Sequence, residues 1–571
     1  MHILRRGPPR PAGCAGARQR VTRHTVRMEA TPTTTAPALV DRLLSPDAYP
    51  HPVERVELVE THISWVFLTG TYAYKVKKPV DLGFLDFTTL EKRRACCVEE
   101  VRLNSRFAPQ LYVDAVPIAG PAAAARVGSP GPTIEWAVRL AQFEERDRLD
   151  HVLDRGGLSA GDCLTLAADI AAVQEGLATA AVATRWGTAD TFRGIVHLNL
   201  DQLHQYRPDL TGRVAALTAW VDRQLALHAA DLATRRAGGR IRECHGDLHL
   251  GNLVRHGGRI VAFDGIEFNE SLRWIDVASD IAFLAMDLRA RGRADLAATV
   301  ISGWVEAADD HHALTLMPVY LVYRAIVRAA VAAIRAAQTP TGGAGATSHA
   351  ECDRYMLLAE RLAAPRRPLL VATSGISGSG KSSLAAAVAA ATGGIRLRSD
   401  VERKRLAGMA AGDRPAGAAA IAAVYSAEMT RRTYERLADL ARTVLTAGWV
   451  AVVDAACLQR WQRGILADAA VRAGAELVWL DLDVPAAVAI GRVQSRAGGD
   501  DPSDATAQVV AAQLADRDPI TAAEIAATAP THPGGTHPVI TVVRVGADQP
   551  RDPAAVAAIV AQFPGAVTRE P

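Results

Sequence analysis

The sequence predicts an α+β, two-lobed region over about residues 41–338, followed by an α/β region with a parallel sheet over 368–571. Three observations predict this. Strand-like runs with one prominent helix fill residues 56–140, and helical periodicity then dominates from 158 to 337. A Gly/Thr-rich segment at 339–349 interrupts the pattern. Beyond Pro368 short apolar strands alternate with helices, the order of a parallel sheet covered on both faces. A chain of 571 residues is also too long for a single core.

Each element has a local reason. Ser64–Leu68 and Tyr72–Lys77 are extended runs around Thr69-Gly70-Thr71 and read as a hairpin. Residues 89–106 interleave acids and arginines with helical spacing, and Pro109 stops them. Thr133–Leu140 reads as a strand. Residues 158–236 read as mostly helical. Asn252–Arg255 and Arg259–Phe263 then read as two short strands around a turn, and helices resume from Arg273 to Ala337. The apolar stretch Ala313–Ala337 carries Pro318, Arg324 and Arg328, which fits a buried helix better than a membrane span. Residues 29–40 are expected to be a mobile lead-in, and 339–367 a linker with a helix at 351–363. In the last region Leu369–Ser374, Ile395–Leu397, Val450–Asp454 and Glu476–Leu482 read as strands, and Ser383–Ala391 and Ala416–Leu445 as helical.

Composition narrows the class. Hydrophobic residues make up 49% and charged residues 22%, as in an ordinary globular chain. The net charge of +3 comes from seven arginines in residues 1–27, which hold no acid; without them the balance is −4. The body therefore lacks a bulk nucleic-acid signature. The basic start reads as a disordered extension or a segment upstream of a true start at Met28, with a transit peptide or a nucleic-acid arm as alternatives. Seven scattered cysteines without regular spacing argue for a reducing compartment, and the cytoplasm is the expected location.

Gly375-Ile-Ser-Gly-Ser-Gly-Lys-Ser fits G-x-x-x-x-G-K-[ST] between a strand and a helix, the context of a phosphate-binding P-loop. Glycines let backbone N–H groups turn inward, so Gly375, Ser377, Gly378, Ser379, Gly380, Lys381, Ser382 and Ser383 are expected to cradle the phosphates. Lys381 would reach the β/γ-phosphates and Ser382 would ligate Mg²⁺. Asp400, at the end of the next strand, is placed to take a proton from an acceptor hydroxyl, and Arg403 to hold an anion. Arg492 and Arg496, four apart on one helix, would close over the phosphates, while Asp454 ends a strand where it could act on Mg²⁺ or substrate.

A second set lies earlier. His245-Gly-Asp-Leu-His-Leu-Gly-Asn is followed twelve residues after Asn252 by Asp264 at the end of a strand. This is the order of a kinase catalytic loop: Asp247 as base, then Asn252 and Asp264 as Mg²⁺ ligands. His245 and His249 invite a metal reading, but bracing of the loop by His245 fits better because no third ligand is evident. Lys75, or its alternate-position rival Lys77, would contact the α/β-phosphates, paired with Glu100 or Glu99.

The His-Gly-Asp and Asp264-Gly-Ile-Glu runs resemble aminoglycoside phosphotransferases, over roughly residues 55–340. Residues 369–520 resemble small-molecule P-loop kinases related to gluconate kinase, chloramphenicol phosphotransferase and polynucleotide kinase; the Asp400/Arg403 pair matches the acceptor-activating pair of the last, and the run Asp501-Pro-Ser-Asp-Ala is similar to a lid region. The resemblance implies a protein-kinase-like domain fused to a P-loop NTPase domain, with ATP and Mg²⁺ as cofactors and small hydroxyl- or amine-bearing acceptors at two sites. From the charge balance and the interrupted apolar stretch, no membrane partner is expected, and nucleic acid is not expected. An ATP-binding regulator, one domain gating the other, is the alternative. Acceptors and oligomeric state are not encoded in any motif.

Overall fold

A computed structural model describes residues 35–81, 85–338, 343–495, 507–521, 540–546 and 553–563. The arginine-rich start, Arg496 and the Asp501–Ala505 run lie outside the described residues. The described residues divide into two compact units: those of 35–151 with 245–247 and 252–273, and those of 152–244 with 248–251 and 274–563.

The described strands, in chain order, are β1 (Glu57–Glu60), β2 (Ser64–Leu68), β3 (Tyr72–Lys77), β4 (Tyr112–Ala119), β5 (Arg126–Val127), β6 (Thr133–Ala141), β7 (Ile241–Glu243), β8 (Leu253–His256), β9 (Arg259–Ala262), β10 (Trp274–Asp276), β11 (Leu369–Ser374), β12 (Ile395–Arg398), β13 (Val450–Asp454), β14 (Glu476–Asp483) and β15 (Ile540–Gly546).

In the first unit β1–β6 form a sheet in the order β1-β2-β3-β6-β4-β5, antiparallel at every pairing. Its two faces bury different clusters. Phe67, Tyr74, Val76, Val116 and Ile118 pack with Leu39 and Leu43 on one face. Val138, Leu140 and Tyr112 pack with Cys97 of helix Leu90–Asn104 and with Val254 and Val261 on the other. Because side chains alternate along a strand, burying Tyr74 and Val76 on the first face turns Lys75 and Lys77 to the second, where the helix lies. Thr89 starts that helix, its side chain accepting from Lys92 N at 3.3 Å. The hairpin β8–β9 turns on Gly257 and Gly258, at φ 57° and 79°, the left-handed pair a tight hairpin needs.

The second unit combines a helical array with a five-stranded sheet in the order β12-β13-β11-β14-β15, parallel throughout. Val371, Val452, Val478 and Leu480 are buried with Leu384 and Val388 of helix Lys381–Thr392, so the strands read as continuous apolar runs. Helix Met317–Gln338 is long and apolar enough to cross a membrane, yet most of it is buried in this unit.

Two expectations are corrected. Thr35–Leu43 is helical instead of a lead-in, because Leu39 and Leu43 have the sheet to bury against. The helix expected from 351 begins at Gly343, because Ser348, Cys352, Tyr355, Met356 and Ala359 form one buried stripe at helical spacing; packing overrides the weak propensity of its glycines and threonine.

Candidate active sites

In the first unit β3 supplies two lysines to one carboxylate. Lys75 Nζ donates to Glu100 Oε1 at 2.9 Å and also contacts Asp264. Lys77 Nζ donates to Glu100 Oε2 at 2.5 Å and contacts Glu267. The two are not equivalent: Lys77 is fully buried, whereas Asp264, which Lys75 meets, keeps 44% of its side-chain surface open. Glu99 pairs instead with Arg102 and Arg273. Burial alone would lower the Lys75 ammonium's pKa, but Asp264 and Glu100 outweigh it and raise it well above the ordinary value. Burial would raise Asp264; the Lys75 charge wins and holds it below the ordinary carboxylate value.

Asp264 is fixed by its backbone. It sits at φ 61°, a left-handed conformation uncommon for a residue with a side chain, and its N–H donates to Tyr112 Oη at 2.9 Å. Gly265 N donates to Asn104 Oδ1 at 2.7 Å, while Asn104 Nδ2 donates to Glu100 O at 2.9 Å, tying this turn to the Glu100 helix. His245 Nε2 lies 3.0 Å from Phe263 O, and Phe263 N donates to Asn252 O at 3.0 Å. Asn252 Nδ2 donates to Asp247 O at 3.0 Å and to Asp247 Oδ2 at 2.9 Å. Gly246 has no alternative: a Cβ there would stand 2.7 Å from Leu272 O. The structure thus brings Lys75 into contact with Glu100 and Asp264, and Asn252 into contact with Asp247. Asn104 and Tyr112 stand at no motif position in the sequence; Glu267 closes the Asp264-Gly-Ile-Glu run, but its lysine partner is not marked there.

In the second unit the loop 375–380 joins β11 to helix Lys381–Thr392. Gly375, Gly378 and Gly380 have φ of 155°, 79° and 91°. Gly378 is also hemmed in, since a Cβ would lie 2.3 Å from Ala489 O. Lys381 Nζ donates to Ile376 O at 2.8 Å, holding the ammonium over the loop. Ser382 Oγ donates to Asp454 Oδ1 at 3.3 Å, and Arg396 takes Asp454 Oδ2, with NH2 at 2.5 Å. Arg492, on helix Ala486–Ser495, places NH1 3.5 Å from Gly378 O and 3.4 Å from Ser379 O. Gln513 Oε1 accepts from Ser377 N at 2.6 Å.

Asp400 opens helix Ser399–Leu406, half-buried; burial, then the nearby Asp454 charge, raises its pKa above the ordinary value. Arg403 lies inside, 8% exposed, with NH1 donating to Thr430 Oγ1 at 3.0 Å and Val424 O at 3.2 Å and its guanidinium 5.2 Å from the Tyr425 ring centre. Arg396 and Gln513 were missed in the sequence, where neither stands at a motif position.

Both sets offer hard oxygen donors suited to Mg²⁺, which binds one or two protein carboxylates and completes its shell with phosphate and water. Asp264 and Asn252 fit that requirement with an open carboxylate. Asp454 Oδ1 and Ser382 Oγ fit it as a neighbouring pair. No group of three His, Cys, Asp or Glu side chains suited to a metal occurs among the described residues, so a dedicated all-protein cage involving His245 and His249 is not seen there.

Residues 93–316 match the model of the phosphotransferase enzyme family, and residues 370–520 match that of an AAA domain. The chain thus carries a kinase-like phosphotransferase domain followed by a P-loop kinase domain. Uncharacterized proteins of Mycobacterium tuberculosis and Mycobacterium bovis are 28% identical over 485 residues, covering 82% of this chain and 92% of each relative. A choline/ethanolamine kinase family protein from Mesorhizobium loti is 13% identical with a TM-score of 0.33, over 57% of this chain and 99% of its own. A sugar kinase from Janibacter is 22% identical with a TM-score of 0.24, over 34% of this chain and 93% of its own.

Proposed function

We propose that this chain is a cytoplasmic ATP-dependent phosphotransferase with two separate sites, each acting on the hydroxyl or amine of a small molecule. The observation that carries the reading is the convergence of Lys75, Glu100 and Asp264 with the Asp247–Asn252 pair, beside an independent P-loop with its own carboxylates.

In the first site Lys75 binds the α/β-phosphates and Glu100 keeps it in place. Asp247 accepts the acceptor's proton as the acceptor oxygen or nitrogen bonds to the γ-phosphorus and the bond to ADP breaks. In the second site the loop N–H groups and Lys381 hold the phosphates, Asp400 accepts the proton, and Arg403 and Arg492 offset negative charge. Arg496 belongs with Arg492 in this assignment. Bound Mg²⁺, held by Asn252 and Asp264 in one site and by Ser382 and Asp454 in the other, would neutralise phosphate charge. Domain limits of 41–338 and 368–571, with a connecting segment at 339–367, complete the proposal.

The test incubates the protein with Mg²⁺, γ-labelled ATP and a small-molecule cell extract and follows labelled products by mass spectrometry. Asp247→Ala and Asp400→Ala should each remove a distinct set of products and retain ATP binding. ATP binding at both sites with no labelled product at all would sink the enzyme reading and favour a regulator.

A further inference from the structure

Strand β12 carries residues of the P-loop site on one end and is held from outside that site along its length. Arg396 N donates to Ser302 Oγ at 2.9 Å, and Arg398 Nε donates to Glu306 Oε2 at 2.7 Å, with NH2 on the second oxygen. Ser302 and Glu306 stand four apart on helix Ala294–Ala308, a rise of about 6 Å. Arg396 and Arg398 stand two apart on the strand, about 6.6 Å. The matched spacing lets one helix hold the strand at two points, one a backbone N–H and the other a side chain. Around it Arg405 NH2 donates to Glu306 O at 2.6 Å, Arg436 NH2 to Asp309 Oδ1 at 2.7 Å, and Trp449 Nε1 to Leu314 O at 3.0 Å. All these residues belong to the second compact unit, although Ser302, Glu306, Asp309 and Leu314 lie in the segment that matches the phosphotransferase family.

The grip bears on chemistry because of where Arg398 stands. It is paired across the sheet with Asp454 and precedes Asp400 by two residues. After Glu306, the carboxylates whose charges act on its guanidinium are Asp454 and Asp400. Asp454 already accepts from Arg396, and Lys381, Arg403 and Lys404 act on Asp400. A further guanidinium swung onto Asp400 or Asp454 would occupy the base or the carboxylate beside Ser382.

We infer that Glu306, on a helix of the phosphotransferase domain, is a positioning residue for the P-loop site: it sequesters Arg398 and sets β12, so that this guanidinium stays off Asp400 and Asp454. This rests on the P-loop reading above. Glu306 itself touches neither nucleotide nor acceptor in this assignment. The first domain therefore supplies part of the framework of the second domain's site.

The test uses the full chain with Asp247→Asn in the background, which silences the first site, and measures Mg²⁺-ATP turnover. Lys381→Met in that background must abolish the remaining turnover; if it does not, the P-loop reading fails and the inference falls with it. Given that control, Glu306→Gln should lower kcat by roughly tenfold while KM for ATP stays within about twofold, the split expected when transition-state and not ground-state contacts are lost. Adding Arg398→Gln to Glu306→Gln should restore most of the turnover, because the intruding charge is gone. Ser302→Ala, which frees no charge, should keep it. Unchanged kcat in Glu306→Gln, no recovery in the double variant, or an equal loss in Ser302→Ala would each overturn the inference. If Glu306→Gln folds poorly, Glu306→Asp, one methylene shorter, carries the same test: slower turnover that Arg398→Gln restores supports the inference, and slow turnover that it does not restore overturns it.

Discussion

The Asn252 carboxamide donates to Asp247 twice, through the backbone carbonyl at 3.0 Å and the carboxylate Oδ2 at 2.9 Å. One amide thus fixes both the course of the loop and the direction of its acid. Asn252→Ala should release that carboxylate.

The expected outcome is a fall of about 10²-fold or more in first-site turnover for Asn252→Ala, within the ~10²–10⁴ that a positioned base contributes. Asp247→Asn should fall in the same range and keep its nucleotide affinity. Steady-state ATP turnover in a Lys381→Met background reads the first site alone. Full activity in Asp247→Asn would remove Asp247 from the chemistry.

Lys75 and Lys77 should separate cleanly by mutation. Lys77 lies buried between Glu100 and Glu267, so Lys77→Met leaves Glu267 in the interior without its lysine, while Glu100 keeps Lys75. Removing one partner of such a pair costs about 3–5 kcal/mol. Lys75→Met should affect stability less, because Asp264 remains open to solvent, and should weaken ATP binding more. Urea unfolding and equilibrium ATP binding measured on both variants check this; a reversed order would exchange their roles. Glu267→Gln combined with Lys77→Met should recover part of the lost stability.

Gly378→Ala should close the P-loop. The new Cβ would meet a backbone oxygen, Ala489 O, at 2.3 Å, and the left-handed φ of 79° adds strain of about 1–2 kcal/mol. Binding of labelled ATP by equilibrium dialysis should fall from two molecules per chain to one, as it should in Lys381→Met. Two molecules retained in both variants would place the second nucleotide elsewhere.

Stability should rise with pH between about 4 and 6.5 through His311. Burial pushes this imidazole down to about 4, with Asp309 opposing and Arg436 and Arg405 assisting. The unfolded chain, with an ordinary histidine value near 6.5, binds a proton in that window that the folded chain does not, so acid favours unfolding there. His311→Gln should flatten the dependence by about one proton in urea titrations across that range. An unaltered slope would mean that the folded protein protonates His311 without penalty.

The two motifs are legible in the chain because each is local. The P-loop spans eight consecutive residues, and Asp247, Asn252 and Asp264 keep a fixed order over a loop and hairpin that fold on themselves. Strand alternation narrowed the lysine choice to Lys75 and Lys77 but could not rank them, since both face the same helix and share Glu100. What stayed hidden depends on distant partners. Glu267 meets Lys77 across 190 positions, Gln513 meets Ser377 across 136, and Glu306 meets Arg398 across 92. Such pairs obey no periodicity, and each residue alone looks like an ordinary polar or charged surface residue. The helix starting at Gly343 was misjudged for a related reason: its composition suggests a linker, and only the buried stripe from Ser348 to Ala359 explains its order.

The two-point clasp of Ser302 and Glu306 on Arg396 and Arg398 ties the histories of the two halves together. A lineage that alters position 306 must adjust 398 as well, and shuffling either half onto a new partner would import a mismatched strand. Among relatives of full length, positions 306 and 398 should vary in concert, whereas position 396, held through its backbone N–H, is free of that constraint.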